Sequence, residues 1–178
     1  MPGAKIPTEL TESFQPVFGA AVTLRPLRPE DADIETAFVA GLSPETRANR
    51  LLGGAIKPTR EYIERLTKVD YTRDMALAAT VMLEGHETLI GVARYALDAD
   101  ARACEFALVI ADAWQGRGIG RLMLKKLLAI AAARGIPRMY GDTLAVNRAM
   151  LALGKASGFS LVRHPDEAHL TRMVRDLG

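Results

Sequence analysis

The chain has 178 residues and a formal net charge of +2, from 23 basic and 21 acidic side chains. That is the length of one domain, long enough to bury a core unaided, and the near-balance of charge argues against a nucleic-acid partner. A single cysteine, Cys104, rules out an intrachain disulfide or a cysteine-rich zinc site. His86, His164 and His169 are too scattered to suggest a metal centre. No apolar run approaches the ~18 residues a membrane span needs, and the first residues lack a signal-peptide core. A cytoplasmic protein with no membrane partner is expected.

Residues 1–20 hold Pro2, Gly3, Pro7, Pro16 and Gly19 and read as an irregular arm before a folded domain over 21–178. Ala21 to Arg25 alternates apolar Val22 and Leu24 with Thr23 and Arg25, the pattern of a half-buried strand that Pro26 ends or confines to an edge. Glu30, Asp31 and Asp33 suit the first turn of a helix carrying Ile34, Ala37 and Phe38. Ser43 before Pro44 caps a second helix, and Thr59 caps a third whose Ile63 and Leu66 face inward.

Three strand-like runs follow, Met75 to Leu83, Thr88 to Leu97 and Arg102 to Ile110, with the short polar joints of antiparallel neighbours. Gly118 to Arg134 is helical in period, with Ile119, Leu122, Met123, Leu127 and Ile130 on one face, and Gly135 and Pro137 stop it. Arg138 to Leu144 reads as a strand and Asn147 to Ser157 as a helix closed by Gly158. Phe159 to Arg163 and His169 to Val174 are strand candidates around the turn at His164, Pro165 and Asp166. The order predicts an α/β fold with a mixed central sheet flanked by helices.

The segment richest in chemistry is Gln115-Gly116-Arg117-Gly118-Ile119-Gly120-Arg121, between an apolar strand and an amphipathic helix. Its glycines allow a tight turn and close backbone approach to a ligand. The next helix aims its unpaired N–H groups and dipole at that point, an arrangement that binds phosphate. A P-loop needs Lys then Ser or Thr after its last glycine, whereas Arg121 and Leu122 follow Gly120. The spacing of Gly116, Gly118 and Gly120 also misses the dinucleotide pattern G-x-G-x-x-G. A glycine-rich turn without ligand stays open, as does a solvated surface role for Arg117 and Arg121.

Gln115-x-x-Gly118-x-Gly120, in its strand-to-helix setting, resembles the acetyl-CoA pyrophosphate loop of the GNAT superfamily of N-acetyltransferases. The likeness runs from about Val22 to Val174, through Leu24-Arg25-Pro26-Leu27-Arg28-Pro29-Glu30-Asp31, Asn147-Arg148-Ala149-Met150 and Gly158-Phe159. Ser43-Pro44-Glu45-Thr46-Arg47, Gly91-Val92-Ala93-Arg94-Tyr95 and Glu105-Phe106-Ala107 look like the acetyltransferase domain of bacterial protein lysine acetyltransferases. The resemblance implies a GNAT fold over 21–178, in which two parallel strands splay apart and pantetheine lies between them. It implies acetyl-CoA as co-substrate, held by the backbone of Leu108, Val109 and Ile110, by Gln115 to Arg121 (Ile119 included), and by Asn147. Asparagine is also a favoured helix cap, and Asn147 begins a helix.

Acetyl transfer to an amine needs its lone pair, and a lysine of pKa ~10.4 is only about one part in a thousand neutral near pH 7.4. A carboxylate that takes the proton is therefore useful. Glu105, in an otherwise apolar strand just before the glycine turn, is the candidate base; a solvent-facing residue or a partner of Arg94 is the alternative. Many GNAT enzymes carry a tyrosine acid four residues before the Gly-Phe glycine, where this chain has Gly154, so the acid is unassigned; Tyr140 and Tyr95 could substitute or be core residues. Cys104 reads as an inert strand cysteine. Asp70 and Tyr71 are candidates for binding a cationic acceptor, or simply close a helix. Three functions stay open: acetylation of a protein lysine, acetylation of a small amine, and acyl-CoA sensing without turnover.

Overall fold

In the computed structural model, which describes residues 5–15, 19–54 and 58–178, a short strand β1 (Glu12–Phe14) pairs antiparallel with β2 (Val22–Pro26). The supposedly irregular arm thus adds an edge strand. Its three residues carry no readable period, and contacts distant in sequence hold it: Ser13 meets Thr23 hydroxyl to hydroxyl at 3.2 Å, and Lys126 bridges Glu12 at 2.9 Å. The remaining arm residues, 1–4 and 16–18, lie outside the described residues, as do 55–57.

Val22 and Leu24 are fully buried in β2, as alternation predicts. Helix α1 (Ala32–Gly41) follows a 3-10 turn at Pro29–Asp31, and Ser43 and Thr59 cap α2 (Pro44–Arg50) and α3 (Arg60–Thr67) by accepting from Thr46 N and Tyr62 N. Strands β3 (Met75–Leu83), β4 (His86–Leu97) and β5 (Cys104–Ile110) form an antiparallel meander. Helix α4 (Ile119–Ala133) crosses to β6 (Arg138–Leu144), which lies parallel to β5. Helix α5 (Arg148–Ala156), β7 (Ser160–Arg163) and β8 (Leu170–Asp176) complete the chain. The sheet order is β1-β2-β3-β4-β5-β6-β8-β7.

Alternation along the strands divides the core between two faces. Met75, Leu77, Cys104, Phe106 and Met139 pack with Ile119, Met123, Leu127 and Ile130 of α4. Ala76, Ala78, Val92 and Val109 pack with Phe38 and Val39 of α1 and Ile63 of α3. The alternation breaks once, at a bulge: Ala79 opposes Gly91 while Thr80 opposes Leu89, so Ile90 is the extra residue and falls on the α4 face.

Candidate active site

β5 and β6 pair only at Cys104 with Met139 and Glu105 with Tyr140; beyond Tyr140 they part. The hydrogen-bond phase shows what the opening exposes. Asp98 N donates to Ala103 O and Ala111 N to Ile90 O, so by antiparallel alternation Ala107 and Val109 direct their backbone groups at β4. Phe106, Leu108 and Ile110 direct theirs into the gap. On the other wall, Ala145 N donates to His169 O and Leu177 N to Pro137 O, which turns Asp142 and Leu144 toward the gap. Of the backbone expected to meet pantetheine, that of Leu108 and Ile110 faces the gap. Val109 is spent on β4, which a strand's two-residue alternation forces. At the apex, a Cβ on Gly141 would lie 2.9 Å from Phe106 O and 2.5 Å from its ring, so only glycine lets the strands close there.

The glycine turn stands at the open end. Gly116 and Gly118 have φ of +73° and +82°, left-handed values that L side chains rarely adopt, and Gly118 is the N-cap of α4. Leu122 N donates the first helical hydrogen bond, to Gly118 O at 3.1 Å, so the N–H groups of Ile119, Gly120 and Arg121 precede the ladder. The Ile119 side chain is core, leaving its backbone for a ligand. A Cβ at Gly120 would touch Leu108, Leu153 and Ile110 at 3.5–3.7 Å, which puts the helix start against the gap. Arg121 is exposed, and the Arg117 guanidinium lies 4.8 Å from the Trp114 ring centroid.

A brace that sequence reasoning missed holds this turn. Asp112 Oδ1 accepts from Ser43 Oγ and Thr46 Oγ1, both at 2.7 Å, and its Oδ2 from Ser43 N at 2.9 Å. These bonds, those from Ser43 first, hold the Asp112 carboxyl down at about 2. Gln115 Nε2 donates to Ile110 O at 3.0 Å and contacts Thr46 Oγ1 at 3.2 Å. The Gln115 amide thus buttresses the turn instead of reaching outward. Asn147 accepts from Met150 N at 3.1 Å and caps α5, so the cap role is present.

Glu105, at the closed end, is exposed on the face opposite α4. Partial desolvation first, then the charge of Asp142, push its carboxyl up, against the pull of Arg172. A cavity of about 240 Å³ opens beside it, lined also by Leu66, Arg94, Ala96 and Ala107. Arg94 donates to Leu66 O at 3.3 Å and does not pair with Glu105 among the described contacts.

Two acceptor candidates are placed elsewhere. Tyr71 is 5% exposed, and its hydroxyl donates to the Leu27 and Ala76 carbonyls, so it ties the β2 end to β3. Asp70 is exposed but accepts from Thr72 N and Oγ1 at 3.0 and 2.6 Å, closing its own turn. Gly154 has no room for an acid: a Cβ there would meet Met173 Sδ at 2.6 Å. Tyr95 is core, bonded to Arg134 at 3.1 Å. Tyr140 stands beside Glu105, but burial and its bond to Asp98 at 3.1 Å push its hydroxyl up to about 12. Cys104 is fully buried, its thiol pushed up by burial to about 12, which makes it inert.

Among the described residues no group of histidine, cysteine and acidic side chains could hold a metal, and no helix is long and apolar enough to cross a membrane. Residues 21–160 match the family model described as an acetyltransferase (GNAT) domain. The chain is 37% identical over 150 residues to acetyltransferase PA5475 of Pseudomonas aeruginosa, covering 84% of this chain and 81% of that protein. It is 32% identical over 142 residues to acetyltransferase Pat of Mycolicibacterium smegmatis, covering 79% of this chain and 41% of that protein. The crystal structure of the GNAT domain of S. lividans PAT superposes with a TM-score of 0.86 at 25% identity, covering 97% of this chain and 100% of that one. With the splayed strands and the glycine turn at their mouth, these matches establish that the chain belongs to the GNAT acetyltransferase family.

Proposed function

We propose that the protein is an N-acetyltransferase that moves an acetyl group from acetyl-CoA to a primary amine. The carrying observation is the half-open β5–β6 pair, with a helix start at its mouth and a carboxylate of raised proton affinity at its closed end. The chain's own groups fit the donor. The N–H groups of Ile119, Gly120 and Arg121 suit a pyrophosphate, and the strand edges at Leu108, Ile110 and Asp142 offer partners for amides. Asn147 keeps its side-chain N–H₂ for the same arm, since only its oxygen is used by the cap.

Glu105 takes the proton from the acceptor ammonium, directly or through water; for a lysine at neutral pH the neutral amine lies roughly 4 kcal/mol above the ammonium, and a positioned base gives that proton a path out. The freed nitrogen forms the new C–N bond as the C–S bond breaks. The departing CoA thiolate is an alkyl thiolate like that of cysteine, whose thiol has a pKa of ~8.5, and so needs no fixed acid. That suits a site where Gly154 is sealed by Met173 and the Tyr140 proton is committed to Asp98.

A protein lysine is the favoured acceptor, supported by the subfamily resemblance at Ser43 to Arg47, Gly91 to Tyr95 and Glu105 to Ala107. The buried, unpaired Cys104 is compatible with the cytoplasm as the working compartment. The test is a side-by-side screen of lysine peptides, spermidine and free amino acids with acetyl-CoA, read by CoA release. Amine-dependent release with acetylated product is expected, highest with peptides. Tight acetyl-CoA binding without release for any amine would leave a sensor and contradict catalysis.

A further inference from the structure

Beside Glu105, β6 and β8 present a closed charge network. Asp142 and Arg172 are register partners, and Arg172 donates to both Asp142 oxygens, from Nε and Nη2, at 2.8 Å each. The same guanidinium lies 4.9 Å from the centroid of the Tyr140 ring, and Tyr140 is the register partner of Glu105. His164, in the β7–β8 turn, completes the network. Its Nδ1 accepts from Asp166 N at 3.2 Å and Glu167 N at 3.0 Å, so the neutral ring carries its proton on Nε2. Nε2 lies 3.2 Å from Asp142 Oδ2. The Arg172 Nη2 that also approaches Nε2 at 3.0 Å has its bond to Asp142 instead, because two donors do not pair. Side-chain exposures of 8% for Asp142 and 10% for His164 show that the network is built into the fold rather than a surface accident.

We propose that Asp142 and Arg172, pinned by His164, are positioning residues for Glu105: they fix Tyr140 beside it and set the balance of charge its carboxylate meets. This rests on Glu105 being the base. The groups facing Glu105 are Asp142 and Tyr140 from β6, Arg172 from β8, Asp98 from the β4–β5 turn and His164 from the β7–β8 turn. Across the cavity stand Arg65, Lys68, Asp74 and Arg94. Within this set Asp142 and Arg172 act on Glu105 in opposite directions, so removing either leaves the other's charge to act on Glu105 with a predictable sign.

The experiment is a carboxyl carbon NMR titration of glutamate-labelled protein, the Glu105 signal assigned by its loss in Glu105→Gln, alongside the pH dependence of kcat/KM with a lysine peptide and with spermidine. Arg172→Gln should raise the Glu105 midpoint by about half to one pH unit and Asp142→Asn should lower it; the low-pH limb of kcat/KM should move with each. The double variant, which removes both charges, should titrate between the two. Arg172→Lys should restore most of the wild-type midpoint while losing the stacked guanidinium. The acetyl-CoA-induced rise in melting temperature certifies that each variant is folded, and where Asp142→Asn does not fold, the Arg172 variants and the double variant decide. Midpoints that stay put, or that move in the same direction in both single variants, overturn the proposal. Midpoints that move as expected while the kcat/KM limb stays fixed show that Glu105 is not the base, and remove the pair's catalytic role with it.

Discussion

Glu105 combines two properties that rarely meet in one strand residue: an exposed carboxylate and a raised proton affinity. Glu105→Gln keeps the volume and removes proton acceptance, so acetyl-CoA affinity should hold while turnover falls by about a hundred- to ten-thousandfold. Because partial desolvation and Asp142 raise the Glu105 pKa, wild-type activity should drop as pH falls through that raised value, where the carboxylate becomes neutral. The variant should lack this limb and be partly rescued at high pH, where more amine is already neutral; equal loss at every pH would assign Glu105 a structural role. Gly118→Val places a β-branched side chain at φ +82°, costing roughly 1–2 kcal/mol or more in the left-handed region, and should weaken acetyl-CoA binding at least tenfold by calorimetry. Normal binding by that variant would mean the turn does not hold the donor. The placement of Glu105 on β5 and of the glycines at the start of α4 was legible in the sequence, because an apolar strand run and glycines before an amphipathic period mark those elements by themselves. Tyr71 was not, since nothing local says that its hydroxyl finds the carbonyls of Leu27 and Ala76.

At the scale of elements, the strands from Met75 to Ile110 and the helix after Gly118 follow from period and punctuation alone. The splay of β5 from β6 carried no local signal, and came only with the family resemblance. Where the strands still close, at the apex, the fit depends on a contact between residues distant in the chain, Gly141 against Phe106. The brace from α2 to the glycine turn was hidden in the same way, although Ser43, Thr46 and Asp112 are ordinary capping and turn residues. Its effect on stability has a definite sign. The bonds from Ser43 and Thr46 hold the Asp112 carboxyl down at about 2, below the ordinary 3.8, so its contribution is complete above about pH 4 and lost as pH falls toward 2. Asp112→Asn should melt about 2–4 °C lower at neutral pH, and the gap to wild type should close between about pH 4 and pH 2. A gap independent of pH would mean the brace does not depend on the charge.

The whole molecule is a sheet with two differently used faces. Helix α4 packs on one and aims its start at the open end of the β5–β6 gap; Glu105, Tyr140, Asp142 and Arg172 stand on the other. Under the proposed function, donor and acceptor would approach the apex from opposite sides, with proton removal where the amine arrives. Acetyl-CoA at about one hundred times its dissociation constant should stabilise the fold by roughly 2.7 kcal/mol, seen as a higher melting temperature, and free CoA should act similarly. Whether this gap and turn hold the donor is read by residue-resolved amide hydrogen exchange with and without acetyl-CoA. Exchange should slow at Leu108, Ile110 and Asp142 on the gap walls and at Ile119, Gly120 and Arg121 in the turn, while Val109, already directed at β4, stays as it was. Unchanged exchange at the turn and the gap walls under saturating acetyl-CoA, or slowing confined to other parts of the sheet, would contradict it.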